Sequence, residues 1–281
     1  MGDTMMSGSK LNEVGYWTEL KLEIVKKYAS AYTGILAKQR AIQGYVYVDA
    51  FSGPGVHVSR QTGEYILGSP LNALNVQPPF SEYHFIDADR DKAEELRRIV
   101  GRQENVFVHE GDCNQILPSQ VFPRCRYEDY RRALCLLDPY GIHLDWKIVE
   151  SAGRSRSIEI FLNFSIMDIN RTALWRNQGK VSQAAVDRMN RFWGDDSWRE
   201  IAYQKEPGLF GSVTDKRSNE VVAEAYRRRL ESEAGFPFVL EPIPMRNSSN
   251  AVVYYLYFAS PNKTGHRIVS DIFSKYRDRT A

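Results

Sequence analysis

The chain has 281 residues, enough for one large α/β domain or for a domain with an inserted lobe. Hydrophobic residues make up 43% and charged ones 26%, an ordinary balance for a soluble globular protein, and 37 Lys and Arg against 35 Asp and Glu leave no global field that favours nucleic acid or a membrane. No apolar run approaches ~18 residues, "MGDTMMSGSK" lacks the apolar core of a signal peptide, and three cysteines never spaced C-x-x-C argue against disulfides or a zinc site, so a reducing cytoplasm is expected.

Residues 1–15 read as a loose polar tail. Trp17, Leu20, Ile24, Tyr28, Tyr32 and Ile35 recur at helical spacing, predicting a helix to about residue 41. "YVYVDAF" is a strand, followed by glycines and a polar loop, "VHVSRQTGEYILG". Ser69 and Pro70 suit the N-cap and first residue of a helix. "YHFIDAD", "VFVHEGD", "ALCLLDPYG" and "SIEIFLNFS" are four more strands, and helices at "RDKAEELRRIVG" and "HLDWKIVESAG" alternate with them. Residues 165–215 break this rhythm and read as a helical insertion or lid. A helix at "SNEVVAEAYRRRLESEAG" follows, then two strands, "FPFVLEPIPM" and "VVYYLYFAS", and a last helix near the C-terminus. The expectation is one α/β domain over 16–281, built on a doubly wound, mostly parallel seven-stranded sheet with ligands beyond the carboxyl ends of its strands.

Acids and glycines stand at those ends: Asp49, Gly53 and Gly55 after strand one, Asp87 after two, Asp112 after three, Asp138 after four. Any single acid can equally end a strand or cap a helix, and the two glycines can serve only a turn. A dinucleotide fingerprint wants glycine or alanine where Val58 stands, and a triphosphate loop wants a G-K-[ST] ending that is missing. S-adenosylmethionine, with an ammonium and a sulfonium against one carboxylate, suits acids better. On that reading Asp49 pairs with the ammonium, and Phe51, Ser52, Gly53 and Gly55 form the loop against the donor. Asp87 accepts from the ribose hydroxyls, and Asp112 and Cys113 lie against adenine. No tight His, Cys, Asp or Glu cluster suggests a metal.

"LLDPYG" resembles the D-P-P-Y signature of methyltransferases that act on amino groups of bases, with the second proline missing. That resemblance implies that Asp138 and the Pro139 carbonyl accept from a target amine while Tyr140 stacks on its ring. Asn163, Asp168, Asn170 and Arg171, in "FLNFSIMDINR", can orient a substrate or cap the next helix. His57 and His143 follow the two motifs and can face solvent, pack, or touch a substrate. Between residues 154 and 191, seven Lys and Arg face three Asp and Glu, near Trp175, Phe192 and Trp193, which suits either a solvated helical face or a nucleic acid strand.

"YVDAFSGPG", "GSPLNAL", "FIDAD", "GDCNQIL", "LLDPYG", "FLNFSIMDINR" and "YYLYFASPNKTGH" stand in the order seen in the three-Cys-motif partner protein family, over about residues 16 to 275. The resemblance implies a class I methyltransferase-like fold, a bacterial-type cytoplasmic protein, a site for S-adenosylmethionine, and a neighbouring three-Cys-motif protein as partner. It implies no established acceptor, and a non-catalytic scaffold remains the alternative. Oligomeric state is not legible.

Overall fold

The computed structural model describes residues 13–14, 16–59, 62–175, 177–208, 211–247 and 249–277. Most of the expected tail, and a few loop positions, therefore lie outside the described residues. Helix α1 (Tyr16–Leu36) opens the domain, and strand β1 (Gly44–Asp49) follows. After α2 (Ser69–Leu74) the chain alternates: β2 (Glu82–Asp87), α3 (Arg90–Val100), β3 (Val106–Glu110), α4 (Cys113–Ile116), β4 (Arg131–Leu137), α5 (Trp146–Ser155) and β5 (Ile158–Phe164). Helices α6 (Ile166–Thr172), α7 (Gln183–Trp193) and α8 (Trp198–Ala202) form the break in rhythm. Then come α9 (Asn219–Ser232), β6 (Phe238–Val239), β7 (Ile243–Arg246), β8 (Val252–Ser260) and α10 (Lys263–Arg277).

The eight strands make one sheet in the order β6-β8-β5-β4-β1-β2-β3, with β7 pairing the other end of β8. Strands β1 to β5 run parallel and β8 is antiparallel to β5. Chain order reverses direction beside β1, so the crevice over β1 and β4 is the topological switch point where ligands collect in doubly wound sheets. This is the Rossmann-like α/β architecture expected from the alternation.

Strand periodicity assigns the two cores. Val46 and Val48 face one layer and Tyr47 the other, because successive side chains point to opposite faces. Trp146, Phe192, Trp193, Trp198 and Tyr226 pack beneath one face, and Tyr28, Tyr32, Phe80, Phe161 and Phe258 beneath the opposite one. Their burial, worth about 1.5–3 kcal/mol for each large apolar side chain, is what holds the helices on.

Several local expectations are corrected. The "polar loop" contains an antiparallel hairpin, Val56–Ser59 with Tyr65–Leu67. The α2 N-cap is Gly68, and Ser69 and Pro70 are its first two residues. "FPFVLEPIPM" is two strands, because Pro242 cannot donate to a ladder and separates β6 from β7. The break over 165–215 holds an antiparallel hairpin, Tyr203–Gly208 with Gly211–Lys216, besides its helices. Phe192 and Trp193 are buried (1% and 0% exposed) and cannot stack on a nucleic acid strand; Trp175 is exposed. Among the described residues no helix is long and apolar enough to cross a membrane, and no cluster of His, Cys, Asp or Glu could hold a metal.

Candidate active site

Parallel register brings the strand ends level: Asp49 lies opposite Phe85 and Leu136, and Asp87 opposite Glu110. Two clefts open above this rim. The larger, about 550 Å³, is lined by Phe51, Asp87, Asp112, Cys113 and Tyr140 together with Lys92, His143, Asp145, Arg188 and Arg191. The smaller, about 260 Å³, is lined by Phe51, Ser52, Gly53, Asp138, Pro139, Tyr140, Asn163 and Asp168 together with Leu22, His57, Lys92 and Tyr254. Phe51, Lys92 and Tyr140 belong to both, so the clefts meet at these three side chains.

The glycine loop is held by Asp87. Gly53 N–H donates to Asp87 Oδ2 at 2.8 Å, and Asp89 N–H donates to Oδ1 at 2.8 Å. Each carboxylate oxygen keeps a second lone pair, so Asp87 can still accept from a diol in the larger cleft. Gly53 sits at φ +62°, where a side chain is strained. Gly55, at φ +87°, has a different reason: a Cβ there would come within 2.8 Å of Leu96 Cδ1. It serves the packing of α3 and lines neither cleft.

Asp49 is wholly buried beneath the floor, and Phe51 N–H donates to its Oδ1 at 3.3 Å. Burial pushes its carboxyl up to about 7, against the Ser69 hydroxyl and the Phe51 amide, which favour the ionised form. Its Oδ2 has no hydrogen-bond partner of proper geometry. The Lys21 charge already favours the ionised form of Asp49 and the Asp138 charge opposes it, and a further cation above would add to the Lys21 effect.

Asp112 caps α4, accepting from Asn114 N–H at 2.9 Å on Oδ1. Asn114 Oδ1 in turn accepts from Asp145 N–H at 2.8 Å, which ties the end of β3 to the loop after β4. Cys113 is buried, and that burial pushes its thiol up to about 12, so it is a neutral wall. The cleft is not uniformly acidic: Lys92 lies 3.5 Å from Asp89, and Arg191 lies 3.7 Å from Asp145. Those cations come from α3 and α7, and no motif announced them.

In the smaller cleft Asp138 has both oxygens engaged. Asn163 Nδ2 donates to Oδ1 at 2.7 Å, and the Lys21 ammonium pairs with Oδ2. That bond orients the Asn163 amide and leaves its Oδ1 buried without a partner. Tyr140 is 67% exposed, with the Lys92 ammonium 5.2 Å from its ring centroid. His57 reaches this cleft from the hairpin, its Nδ1 unpartnered and its pKa lowered, chiefly by burial. Asp168 accepts from the Ser165 hydroxyl at 2.7 Å and pairs with Arg171.

Asn170 and Arg171 fall outside both clefts. Asn170 Nδ2 donates to Asn219 Oδ1 at 3.0 Å and its Oδ1 accepts from Lys216, so it braces α6 against α9. Arg171 is exposed beyond Asp168. The helical period explains Asn170: two residues beyond Asp168 it points to the far side of α6, whereas Arg171, three residues on, shares the Asp168 face and reaches past it to solvent. Lys21, Lys92, Asp145 and Tyr254 stand at the clefts without any sequence signal for a site, and Arg188 and Arg191 are visible in the sequence only as part of the basic excess over 154–191.

No family model matches the chain, and no curated protein matches it. Solved structures similar to it include a Legionella pneumophila protein (11% identity, TM-score 0.49, covering 91% of this chain and 92% of that one). The DszA carbon methyltransferase is similar at 16% identity and TM-score 0.47, over 86% of this chain and 54% of that one. The plantazolicin methyltransferase BamL, solved with S-adenosylhomocysteine, is similar at 10% identity and TM-score 0.36, over 88% of each chain. At these values the likeness carries neither an activity nor residue roles.

Proposed function

We propose that the chain is an S-adenosylmethionine-dependent methyltransferase whose acceptor is an amine nitrogen, with the amino group of a nucleic acid base as the acceptor that Asp138, Pro139 and Tyr140 suit best. The reading rests on one observation: an acid-bearing cleft of nucleoside size meets a second cleft carrying the D-P-Y motif at a shared wall of Phe51, Lys92 and Tyr140.

The residues present fit the donor. Asp87 offers lone pairs to a ribose and Asp112 to an amino group, and Asp49, buried off the cleft surface, acts on a cationic donor through its charge and not by contact. Bound there, S-adenosylmethionine would supply an electrophilic methyl group with a neutral thioether as leaving group, and the acceptor nitrogen would give up its proton to solvent. The chain's own part is placement. Asp87 sets the loop, Asn163 and Asp138 offer acceptor oxygens to an amine, and the exposed Tyr140 ring gives a base a stacking face. A base inside a duplex has to be flipped out to reach it. By the motif resemblance, a three-Cys-motif protein is the proposed partner.

Titration calorimetry with S-adenosylmethionine, S-adenosylhomocysteine and NAD tests the donor. Heat with the first two and none with NAD is expected, and no heat with either sulfur compound sinks the reading. A second reading, a donor-binding subunit without turnover, is favoured by the prior engagement of both Asp138 oxygens. Labelled donor incubated with cell extract, with and without the partner, separates them by whether label reaches any acceptor.

A further inference from the structure

Lys21 is an odd residue for its place. It lies on α1 between Leu20 and Leu22, is 4% exposed, and its ammonium meets Asp138 and sits 5.5 Å from the Tyr254 ring centroid. Docking α1 on the sheet does not need it, since Leu20, Ile24, Val25 and Tyr28 already do so. Burying an ammonium costs several kcal/mol even when paired, and an apolar residue would pack there at lower cost. The cation stands directly behind the motif residue of the acceptor cleft.

Its charge changes what that cleft can accept. The two carboxylates lining it are each matched by a cation, Asp138 by Lys21 and Asp168 by Arg171, and Lys92 at the wall has its own partner in Asp89, 3.5 Å away. A protonated amine would meet cations without an uncompensated carboxylate in the lining. Entering such a lining, an ammonium gives up water and gains no counter-charge in return. An uncharged amine meets no such penalty, and finds acceptor oxygens at Asp138 and Asn163 held by the same contacts.

Resting on the methyltransferase reading above, we propose that Lys21 is the positioning and specificity residue of the acceptor cleft. It pins the Asp138 carboxylate against Asn163 and turns the cleft against protonated amines, so that the acceptor is an uncharged, weakly basic amine and not an aliphatic ammonium.

The test uses the full chain with its partner, labelled S-adenosylmethionine, and two acceptors: a single-stranded oligonucleotide carrying all four bases, and spermidine. The wild type should label the oligonucleotide and leave spermidine unlabelled. Lys21→Met should lose about a hundredfold in kcat on the oligonucleotide, as for a misplaced reacting group, with S-adenosylhomocysteine affinity unchanged. Its preference should move toward spermidine, and Lys21→Arg should restore the original order. Should Lys21→Met fold poorly, Lys21→Met with Asp138→Asn removes the unpaired charge; its melting temperature should recover while its selectivity does not. Labelling of spermidine by the wild type, or an unchanged acceptor ratio in a folded Lys21→Met chain, overturns the proposal. So does labelling of neither acceptor by a chain that binds the donor. A chain that binds no donor instead sinks the methyltransferase reading, and this inference with it.

Discussion

Asp87 accepts the Gly53 N–H at 2.8 Å across 34 residues of sequence, so the acid at the end of β2 sets the shape of the loop after β1. The same carboxylate lines the larger cleft, and loop geometry and ligand contact are therefore linked through one side chain. Asp87→Ala leaves the part-buried Gly53 amide without its acceptor, at about 1 kcal/mol, while the exposed Asp89 amide can turn to water. Donor affinity should fall at least about tenfold, with Asp87→Asn intermediate because the amide keeps one acceptor oxygen. Calorimetry with S-adenosylhomocysteine measures both.

On the methyltransferase reading, Asp49 should couple donor binding to pH. Its carboxyl is raised to about 7 by burial, so the charge that favours a cationic donor develops only as pH rises through that value. Donor affinity should strengthen between pH 6 and 8 (roughly one unit either side of the midpoint) and become flat in Asp49→Asn. The stability sign is the opposite one. A folded pKa above the unfolded value gives a stabilising contribution that is complete below about 4 and lost as pH rises through about 7. Asp49→Asn should therefore melt higher than the wild type at pH 8 and lose that advantage near pH 4, by a few kcal/mol at most. Melting curves across that range check it.

Gly153, inside α5, touches the backbone of residue 234 so closely that a Cβ would overlap the Ala234 carbonyl and reach within 3.0 Å of Phe236 Cε2. Helix propensity alone favours Gly153→Ala by up to ~1 kcal/mol. Overpacking against rigid backbone costs about 1–3 kcal/mol, so the clash wins and the variant should be less stable. Denaturant unfolding gives the sign.

Glu82, at the start of β2, is buried with His84 and gathers the partly covered Arg131 and the half-exposed Arg124, at the strand end opposite the clefts. Burial raises its carboxyl, but hydrogen bonds from Arg124 and His84 and the charge of Arg131 more than offset this, leaving it at about 2. A lowered folded pKa contributes stability above the ordinary carboxylate range that is lost as pH falls through about 2. Glu82→Ala should cost about 1.5–3 kcal/mol, chiefly because the covered His84 and Arg131 lose their partner while the half-exposed Arg124 turns to water, and should flatten the acid limb of the unfolding profile. Donor affinity should stay unchanged.

Much was legible because it depends on local pattern. Alternation of apolar strands with amphipathic helices is enough to specify a doubly wound sheet, and that topology obliges residues at strand ends, such as Asp87 and Asp138, to stand along one rim, here in two adjoining clefts. What lay beyond the sequence was which neighbours reach that crevice from elsewhere. Lys21 looks like one more lysine in an amphipathic helix until α1 docks and aims it at Asp138, and Lys92, Arg188 and Arg191 likewise belong to no motif. Asp49, Gly55 and Asn170 show the reverse: their positions matched the pattern, yet a few ångströms of depth or a turn of helix took them off the cleft surface. Periodicity encodes which face of an element is buried, whereas depth, charge pairing and the company a side chain keeps are set only when separate elements pack.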